Sequence, residues 1–489
     1  MWRFLSSVAV EQTLLVNMIA LAISEHAAFN LIFQKACDST HSRPLYLGQR
    51  CPTEENAEKE SAQLSVYRAM INAACVCVIL MYVGSWSDSH GKQRKPFIIY
   101  SIIGQITVDI LNSVLSYYWS TSNYWVAILN GLIPGITGSR LLLMTMSVCY
   151  ISDNTSLRTR TFRIGILAAL YYLATPFGTA LSGKLMVRFG FLVTFSTCIL
   201  LNTLALAIAT LLIVNTRDDY DPRCIDSFSR QIANNFKVLV RRRPHNSRLI
   251  VCLCVVTSPL VRSPMVGEYS VLYLFVRYKF GWNEADYGYY AAFKLAGIFF
   301  GTIFSMGILS KTCGMSDSMI GILASVSDMA AATCYIFVTS SWQMFLVPLL
   351  DIFHGAAQVI CSSVVSKHVE PNELGKITSV KAFLDSLAPF LITPLYNQVY
   401  IHTFQQLPSA FFIISVVFGL PIFFIFWIIR SKDHIEGKGE CKPPKRDIYN
   451  NFNNNNEDKI QQQPSNNSIN AQQLDCTQKQ LSDQIETIS

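Results

Sequence analysis

The chain has 489 residues, of which 51% are hydrophobic and only 15% are charged. Soluble proteins carry about 25% charged residues, so this sequence lacks the polar surface needed to fold in water. A net charge of +7 could indicate an anionic partner such as nucleic acid. Basic residues gathered in the cytoplasmic loops of a membrane protein give the same excess, and their distribution favours that explanation.

Twelve apolar runs predict membrane-spanning helices. A helix needs about 20 mostly apolar residues to cross the hydrocarbon core. Because backbone hydrogen bonds must close within the segment in lipid, runs this long indicate helices rather than barrel strands. The first run holds Glu25 and His26 and lacks a cleavage signature, which favours a span over a signal peptide. In chain order the runs are Leu14–Phe33, Tyr67–Trp86, Pro96–Tyr117, Tyr124–Cys149, Ile164–Met186, Phe191–Val214, Leu249–Phe275, Gly288–Leu309, Met319–Val338, Trp342–Val365, Val380–Tyr400 and Ala410–Ile429.

The basic residues predict the orientation of these spans. With the N-terminus inside, the inner loops hold 17 lysines and arginines and the outer loops hold 8. Lysine and arginine concentrate in cytoplasmic loops, so both termini are predicted to be cytoplasmic. Most of the 14 cysteines stand inside apolar runs and are predicted to be packing residues.

The longest inner connection, residues 215–248, divides the membrane portion in two. We predict an all-α polytopic fold with a six-helix bundle at 14–214 and a second at 249–430, preceded by a cytoplasmic N-terminus at 1–13. Residues 431–489 are rich in Asn and Gln, cannot bury a core and are predicted to be a disordered tail.

A short motif repeats at the same place in the two halves. Gly84-Ser-Trp-Ser-Asp88-Ser-His-Gly91 follows span 2, and Gly307-Ile-Leu-Ser-Lys311-Thr-Cys-Gly314 follows span 8, at an offset of 223 residues. The matching position indicates duplication, an architecture found in transporters. In the first copy the glycines permit close helix approach and unusual backbone angles. Asp88 can cap a helix or pair with a base, while Lys92 and Arg94 can anchor the turn at anionic head groups.

The stretch from Gly84 to Lys92 resembles the signature loop of the major facilitator superfamily. Other segments are similar to the proton-coupled folate transporter family (solute carrier family 46), which also includes lysosomal steroid-conjugate transporters. These segments are Val10-Glu11, Arg160-Thr-Phe-Arg163-Ile, Trp282-Asn-Glu, Tyr287-Gly-Tyr and Glu373-Leu-Gly. The resemblance covers residues 8–430 and implies a twelve-helix fold in which spans 1, 4, 7 and 10 line a central cavity. It assigns the loop residues Gly84, Asp88, Gly91, Lys92 and Arg94 to gating.

Three positions depart from the family pattern. An acidic residue that the family ties to proton coupling, early in span 5, is matched by Ala168. An arginine that tends to precede Lys367 in the family is replaced by serines and valines. A family cysteine is replaced by Gly281, which removes the distant partner of the first outer loop, so Cys37 is predicted to pair with Cys51. Proton coupling and folate specificity therefore do not follow from the resemblance alone.

Ionisable residues inside the spans mark the candidate site. Each costs about 2.5–3.5 kcal/mol to insert near the bilayer centre, so it faces a partner or a watery cavity. In span 4, small residues permit close packing and Pro134 frees a carbonyl that a cavity or a neighbour can satisfy. Span 7 is predicted to be interrupted by Pro259, Pro264 and Gly267. Glu268 is the first choice for a proton-carrying group and Glu25, beside His26, the second. The predicted substrate- and proton-binding residues are Glu25, His26, Arg140, Arg262, Glu268, Lys294, Asp351 and His354. A structural ion pair, or snorkelling to the interface, remains the alternative for each charge, as for Arg68, Asp109, Asp328, Lys381 and Asp385.

These features predict a secondary transporter that moves a small organic solute by alternating access. The cations Arg140, Arg262 and Lys294 favour an anionic solute, such as a folate-like or conjugated metabolite, with protons as a candidate coupling ion. The alternative is a membrane sensor that binds a solute without moving it. No zinc-protease, nucleophile-elbow or phosphate-loop motif is present, so no enzyme activity is predicted. We expect a monomer in contact with membrane lipids, with no cofactor, metal or nucleic acid. Tyr449-Asn-Asn-Phe452 has the spacing of an endosomal sorting signal, which leaves the plasma membrane and the endosomal or lysosomal membrane both open.

Overall fold

The computed structural model describes residues 8–37, 54–214, 235–239, 241, 247–282 and 284–439. Within those ranges all regular structure is helical, and the described residues up to Gly437 belong to one compact unit. Most of the predicted central loop, the tail after residue 439 with its Tyr449–Phe452 motif, and Cys51 lie outside the described residues. The division into two bundles therefore stays a prediction.

Every predicted span falls on a helix. Span 1 is Ala9–Cys37, span 2 is Glu54–Ser89, span 3 is Lys95–Tyr117, and span 4 consists of Asn123–Ile136 and Ser139–Asp153. Spans 5 and 6 together form Leu157–Leu212, which is interrupted at Gly190, where φ is 78° and ψ is 179°. Span 7 is Ser247–Phe280, and span 8 is Glu284–Phe304 with a π-helical continuation, Ser305–Thr312. Span 9 is Asp317–Phe337, span 10 is Ser341–Leu350, Asp351–Phe353 and His354–His368, span 11 is Leu374–Thr403, and span 12 is Phe411–Gly439.

These helices have the length and composition of membrane spans. Ten segments among the described residues are long and apolar enough to cross a membrane. One of them, Thr159–Leu212, holds both span 5 and span 6. Span 11 adds a helix of 30 residues, about 45 Å long at the standard rise. The predicted all-α fold with twelve transmembrane helices is confirmed.

Local sequence fixes where several spans begin and bend. The hydroxyls of Ser122 and Ser316 accept backbone N–H bonds at the starts of spans 4 and 9, at 3.3 and 3.4 Å. Span 4 breaks at Thr137 and Gly138, just after Pro134, and Gly138 has a φ of 81°. The break therefore lies beside the proline that is expected to free a backbone carbonyl.

The predicted interruption of span 7 is wrong. Ser247–Phe280 is one helix of 34 residues that contains Pro259 and Pro264. A proline inside a helix removes one backbone hydrogen bond, and neighbouring helices in a membrane can satisfy the carbonyl that is freed. Span 10, by contrast, is interrupted by a single 3-10 turn at Asp351–Phe353, directly after Pro348.

The two sequence halves meet on the predicted cytoplasmic side. Span 2 packs on span 11, and span 5 packs on span 8. The hydrogen bonds that join residues 9–214 to residues 247–439, among the described positions, lie between the membrane centre and the predicted cytoplasmic ends of the spans. They join Cys77 to Ser386, Cys149 to Thr378, Asp88 to Gly375 and Lys376, Arg160 to Ser366, and Thr161 to Asp317 and Ser363. The bundle is therefore closed on that side.

Candidate functional site

Five ionisable side chains form one network in the second half of the bundle. Lys294 Nζ lies 3.4 Å from Glu268 Oε2 and 3.3 Å from Asp351 Oδ2. His354 Nδ1 lies 3.3 Å from Asp328 Oδ1 and 3.7 Å from Asp351 Oδ1. Four of these residues are buried and Asp328 is half-buried. Ion pairs thus connect spans 7, 8, 9 and 10. Four of the eight predicted binding residues belong to this network: Glu268, Lys294, Asp351 and His354.

Hydroxyl groups complete the surroundings of this network. Ser415 of span 12 donates to Glu268 Oε1 at 2.7 Å, and the Ser415 and Tyr396 hydroxyls are 2.8 Å apart. The ammonium of Lys294 lies 5.4 Å from the centre of the Tyr335 ring. Every buried charge here therefore has a polar or aromatic neighbour, as buried ions require. Sequence reasoning missed Ser415 and Tyr335, because hydroxyls and rings are common in membrane helices and carry no distinguishing pattern.

Three members of the network also have a spacing that a metal ion could accept. Ligand atoms of Asp328, Asp351 and His354 all lie within 4.8 Å of one another. Lys294, at 3.3 Å from Asp351, already supplies a positive charge at the same place. That ammonium opposes a divalent cation, so proton chemistry suits this set of residues better.

A second group of predicted residues lies where the two halves face each other. The Arg140 guanidinium of span 4 stands 5.8 Å from the Tyr171 ring, with Nη1 3.5 Å from its hydroxyl. Glu25, which is exposed, acts electrostatically on Arg140. The charge of Arg262 in span 7 interacts electrostatically with Tyr172, the residue that follows Tyr171 in span 5. Span 5 therefore places two tyrosines between an arginine of each half.

Neither arginine forms an ion pair with a carboxylate in the described part of the chain, and Arg262 Nε is buried without an acceptor. The other predicted span-1 residue, His26, also has a buried nitrogen, Nδ1, without a partner there. Arg262 does not pair with Glu268, as their proximity in sequence suggested, because Glu268 is held by Lys294 and Ser415. Among the described residues, Arg140 and Arg262 are thus cations that no carboxylate holds in an ion pair, although the charge of Glu25 reaches Arg140.

Asp109 of span 3 is held entirely by neutral groups. Its carboxylate accepts from Ser24 at 2.5 Å, from Gln105 at 3.2 Å and from Asn202 at 2.8 Å. Its side chain is fully buried. An inward-facing patch of span 3 thus ties spans 1, 3 and 6 together within the first half.

Lys381 and Asp385 form a separate pair. They are 3.2 Å apart on span 11, and Ser258 also donates to Asp385 at 2.7 Å. This geometry supports the structural alternative for these two charges.

The loop after span 2 is built around a buried ion pair. Arg94 lies 2.7 Å from Asp88 and 3.0 Å from Asp153. Burial lowers the pKa of Arg94, but the charges of Asp88 and Asp153 outweigh it and raise the pKa above the usual arginine value. Asp88 also accepts the backbone N–H groups of Gly375 at 3.1 Å and Lys376 at 2.8 Å. It therefore caps the first turn of span 11 in the opposite half.

The glycines of the loop have the conformations that the motif predicts. Gly91 and Lys92 have φ values of 73° and 54°. A Cβ on Gly84 would overlap Ser379 and the Gly375 carbonyl of span 11. Gly84 thus permits the closest approach of spans 2 and 11.

The second copy of the motif has a similar geometry with different chemistry. Gly314, which matches Gly91, has a φ of 65°. Lys311, which stands in place of Asp88, lies 4.6 Å from the centre of the Phe162 ring in span 5. The carboxylate on this side comes from Asp317, which pairs with Lys367 at 2.6 Å and accepts from Thr161 at 3.3 Å. Each copy therefore stands beside a contact between the halves, which supports the duplication.

The outer end of span 1 carries the predicted disulfide. Cys37 is disulfide-bonded, whereas the nine described cysteines inside the spans and at position 313 are not part of a disulfide. Because Cys51 lies outside the described residues, its pairing with Cys37 stays a prediction. Closing a loop of this size contributes about 3 kcal/mol on the chain-entropy model. Mass spectrometry of non-reduced peptides should show Cys37 linked to Cys51, and two free thiols at these positions would contradict the prediction.

Twelve helices with one loop motif repeated after spans 2 and 8 are typical of a secondary transporter architecture. Residues 60–393 match the Major Facilitator Superfamily, and the chain belongs to that family of membrane transporters. Among its relatives is the probable peptidoglycan muropeptide transporter SLC46 of Drosophila melanogaster, 21% identical over 86% of each chain. Another is the lysosomal proton-coupled steroid conjugate and bile acid symporter SLC46A3 of Gallus gallus, 22% identical over 80% of this chain and 84% of the relative.

The proton-coupled folate transporter of Bos taurus is 20% identical over 68% of this chain and 71% of its own length. The resemblance to this family is therefore confirmed. Among solved structures, the human organic anion transporter MFSD10 gives a TM-score of 0.66 at 16% identity, covering 86% of this chain and 99% of that one. The transporter FucP in its outward conformation gives 0.61 at 12% identity, covering 87% and 99%. These likenesses support the fold.

Proposed function

We propose that the protein is a secondary transporter that carries a small organic anion across a membrane by alternating access, with protons as the coupling ion. The observation that carries the anion proposal is that two arginines, Arg140 and Arg262, one in each sequence half, form no ion pair with a carboxylate among the described residues. An anion bound between them would form the ion pairs that these arginines lack, and Tyr171 and Tyr172 would pack against its apolar part.

The closed predicted cytoplasmic side supports alternating access. Contacts made by Asp88, Gly84 and Asp317 join the two sequence halves on that side, and we take this arrangement to be the outward-facing state. Relatives named for steroid conjugates, bile acids, folate or organic anions support an anionic solute. We place both termini in the cytoplasm and the chain, as a monomer, in the plasma membrane or an endosomal or lysosomal membrane.

Uptake into proteoliposomes tests this proposal. The purified full-length protein is assayed with folate, a steroid sulfate, a bile acid and a muropeptide, with and without an inward proton gradient. Uptake of at least one anion above empty liposomes is expected, and the gradient should increase it. Binding without uptake across the panel would favour the sensor alternative and contradict transport.

Glu268→Gln tests proton coupling at the first-choice residue. Glutamine keeps the size of the side chain but cannot bind or release a proton, so accumulation driven by the gradient should be lost. Exchange of substrate across the membrane needs no net proton movement and should persist. If the unmodified protein transports equally with and without the gradient, it is a facilitator and the assignment of Glu268 fails.

A further inference from the structure

The network around Lys294 has an excess of negative charge. Glu268, Asp328 and Asp351 provide three carboxylates, whereas Lys294 is the one permanent cation among the described members of the network. With all three carboxylates ionised and His354 neutral the sum is −2, and with His354 protonated it is −1. Such an excess is costly inside a membrane, so the network favours the uptake of protons.

Lys294 is shared almost equally between two carboxylates. Its Nζ lies 3.4 Å from Glu268 and 3.3 Å from Asp351. Glu268 belongs to span 7 and Asp351 to span 10, while Lys294 extends from span 8. If one carboxylate takes up a proton, its attraction for the ammonium falls and the ammonium is drawn to the other.

Each of the two carboxylates follows a proline in its own span. Asp351 opens the 3-10 turn that interrupts span 10, three residues after Pro348. Glu268 follows Pro264 by four residues in span 7, and Pro264 leaves the carbonyl of Leu260 without its helical hydrogen bond. A lysine that moves from one carboxylate to the other therefore pulls on span 7 in one position and on the interrupted span 10 in the other.

We propose that Lys294 is a charge switch that couples protonation of Glu268 or Asp351 to the relative movement of spans 7 and 10. This inference rests on the proposed transport function and states how its coupling ion acts. One proton from water on one side binds a carboxylate and Lys294 shifts to the other carboxylate. When the proton leaves to water on the opposite side, Lys294 returns.

The groups that face the network limit what a change in pH can alter. On span 9 the network meets Asp328, and on span 10 it meets His354 beside Asp351. Ser415 of span 12 does not titrate. The remaining titratable neighbours are phenols, which stay neutral near physiological pH: Tyr172, Tyr269, Tyr287, Tyr290, Tyr335 and Tyr396. The groups of the network that can take up or release a proton are therefore the three carboxylates and His354.

A cysteine at position 366 reports the switch without any substrate. Ser366 is buried on the closed side, and its carbonyl accepts from Arg160 of the other half. Ser366→Cys in the full-length protein in nanodiscs is labelled with a maleimide at about pH 5.5 and about pH 7.5. These two values lie on either side of the ordinary pKa of histidine. The rate is divided by that of the exposed native Cys313, which cancels the pH dependence of the reagent.

The normalised rate should differ at least about threefold between the two pH values, the shift expected when about 0.6 kcal/mol separates the two protonation states. Lys294→Gln should remove most of that difference, and Lys294→Arg should retain it. Lys381→Gln is the matched control, because Lys381 is also buried and paired but bonds a carboxylate of its own helix; its pH response should persist. Glu268→Gln and Asp351→Asn should shift the labelling rate in opposite directions, since each fixes Lys294 on the remaining carboxylate.

Several results would overturn the switch. These are a rate that ignores pH in the Ser366→Cys protein, a pH response that survives Lys294→Gln, or shifts in the same direction for Glu268→Gln and Asp351→Asn. The last comparison decides the matter if Lys294→Gln fails to fold. Labelling that responds to added Zn²⁺ through Asp328 but not to pH would make the network a metal site instead. Labelling needs no transported solute. If no solute of the uptake panel is transported, the proposed function is contradicted, whereas the labelling rates still decide whether Lys294 is a charge switch.

Discussion

Arg140→Gln is expected to reduce the uptake of organic anions by at least about tenfold, because a hydrogen bond to a charged group contributes about 1.5–3 kcal/mol. Arg140 has Tyr171 beside it and no carboxylate in an ion pair within the described chain. It follows the break in span 4, where Gly138 and Ser139 have positive φ values of 81° and 52°. The break directs a cation towards the facing half.

Two further variants make this test specific. Arg140→Lys keeps the charge but loses the flat surface that stacks on Tyr171, so uptake should fall by an intermediate amount. Arg68→Gln is the matched control, since Arg68 is another half-buried arginine inside a span, close to the outer end of span 2. Initial rates of uptake, divided by the amount of protein in the liposomes, provide the measurement. An equal loss in Arg68→Gln, or none in Arg140→Gln, would contradict a substrate role for Arg140.

The twelve spans could be predicted from the sequence because length and apolarity follow directly from the thickness of the bilayer. The break in span 4 was also predictable, since proline and glycine stand together there. The same reasoning failed for span 7, because a proline can be accommodated when neighbouring helices satisfy the freed carbonyl. The break in span 10 carries only Pro348 as a signal, and a lone proline does not distinguish a bend from a break.

The partners of the intramembrane charges were less predictable. Proximity in the sequence suggests that Glu268 lies near Arg262, six residues earlier, whereas the structure pairs it with Lys294 of span 8. Contacts between helices depend on how each helix is rotated, which one sequence does not reveal. Asp317 was not predicted for a related reason. It stands at the start of span 9, outside the apolar core, where an acidic residue is explained by its favourable interaction with the helix dipole. Its contact with Thr161 of the other half becomes visible only in the packed bundle.

Asp88→Asn is expected to slow transport by at least about tenfold and to lower the melting temperature, because breaking a buried ion pair costs about 3–5 kcal/mol. Asp88 pairs with Arg94 at 2.7 Å and caps span 11 through the N–H groups of Gly375 and Lys376. Asparagine keeps the shape but has one oxygen and no charge, so the closed arrangement of the two halves loses stability relative to the open one.

Asp153→Asn is the control that separates gating from simple loss of an ion pair. Asp153 bonds the same Arg94 at 3.0 Å but makes no hydrogen bond to span 11 among the described residues. Both variants weaken the surroundings of Arg94, and only Asp88→Asn also removes a contact between the halves. Labelling of Ser366→Cys should therefore accelerate in Asp88→Asn and change little in Asp153→Asn, while both proteins still reach the membrane. Equal labelling and equal transport in the two variants would mean that Asp88 stabilises its own loop and does not hold the halves together.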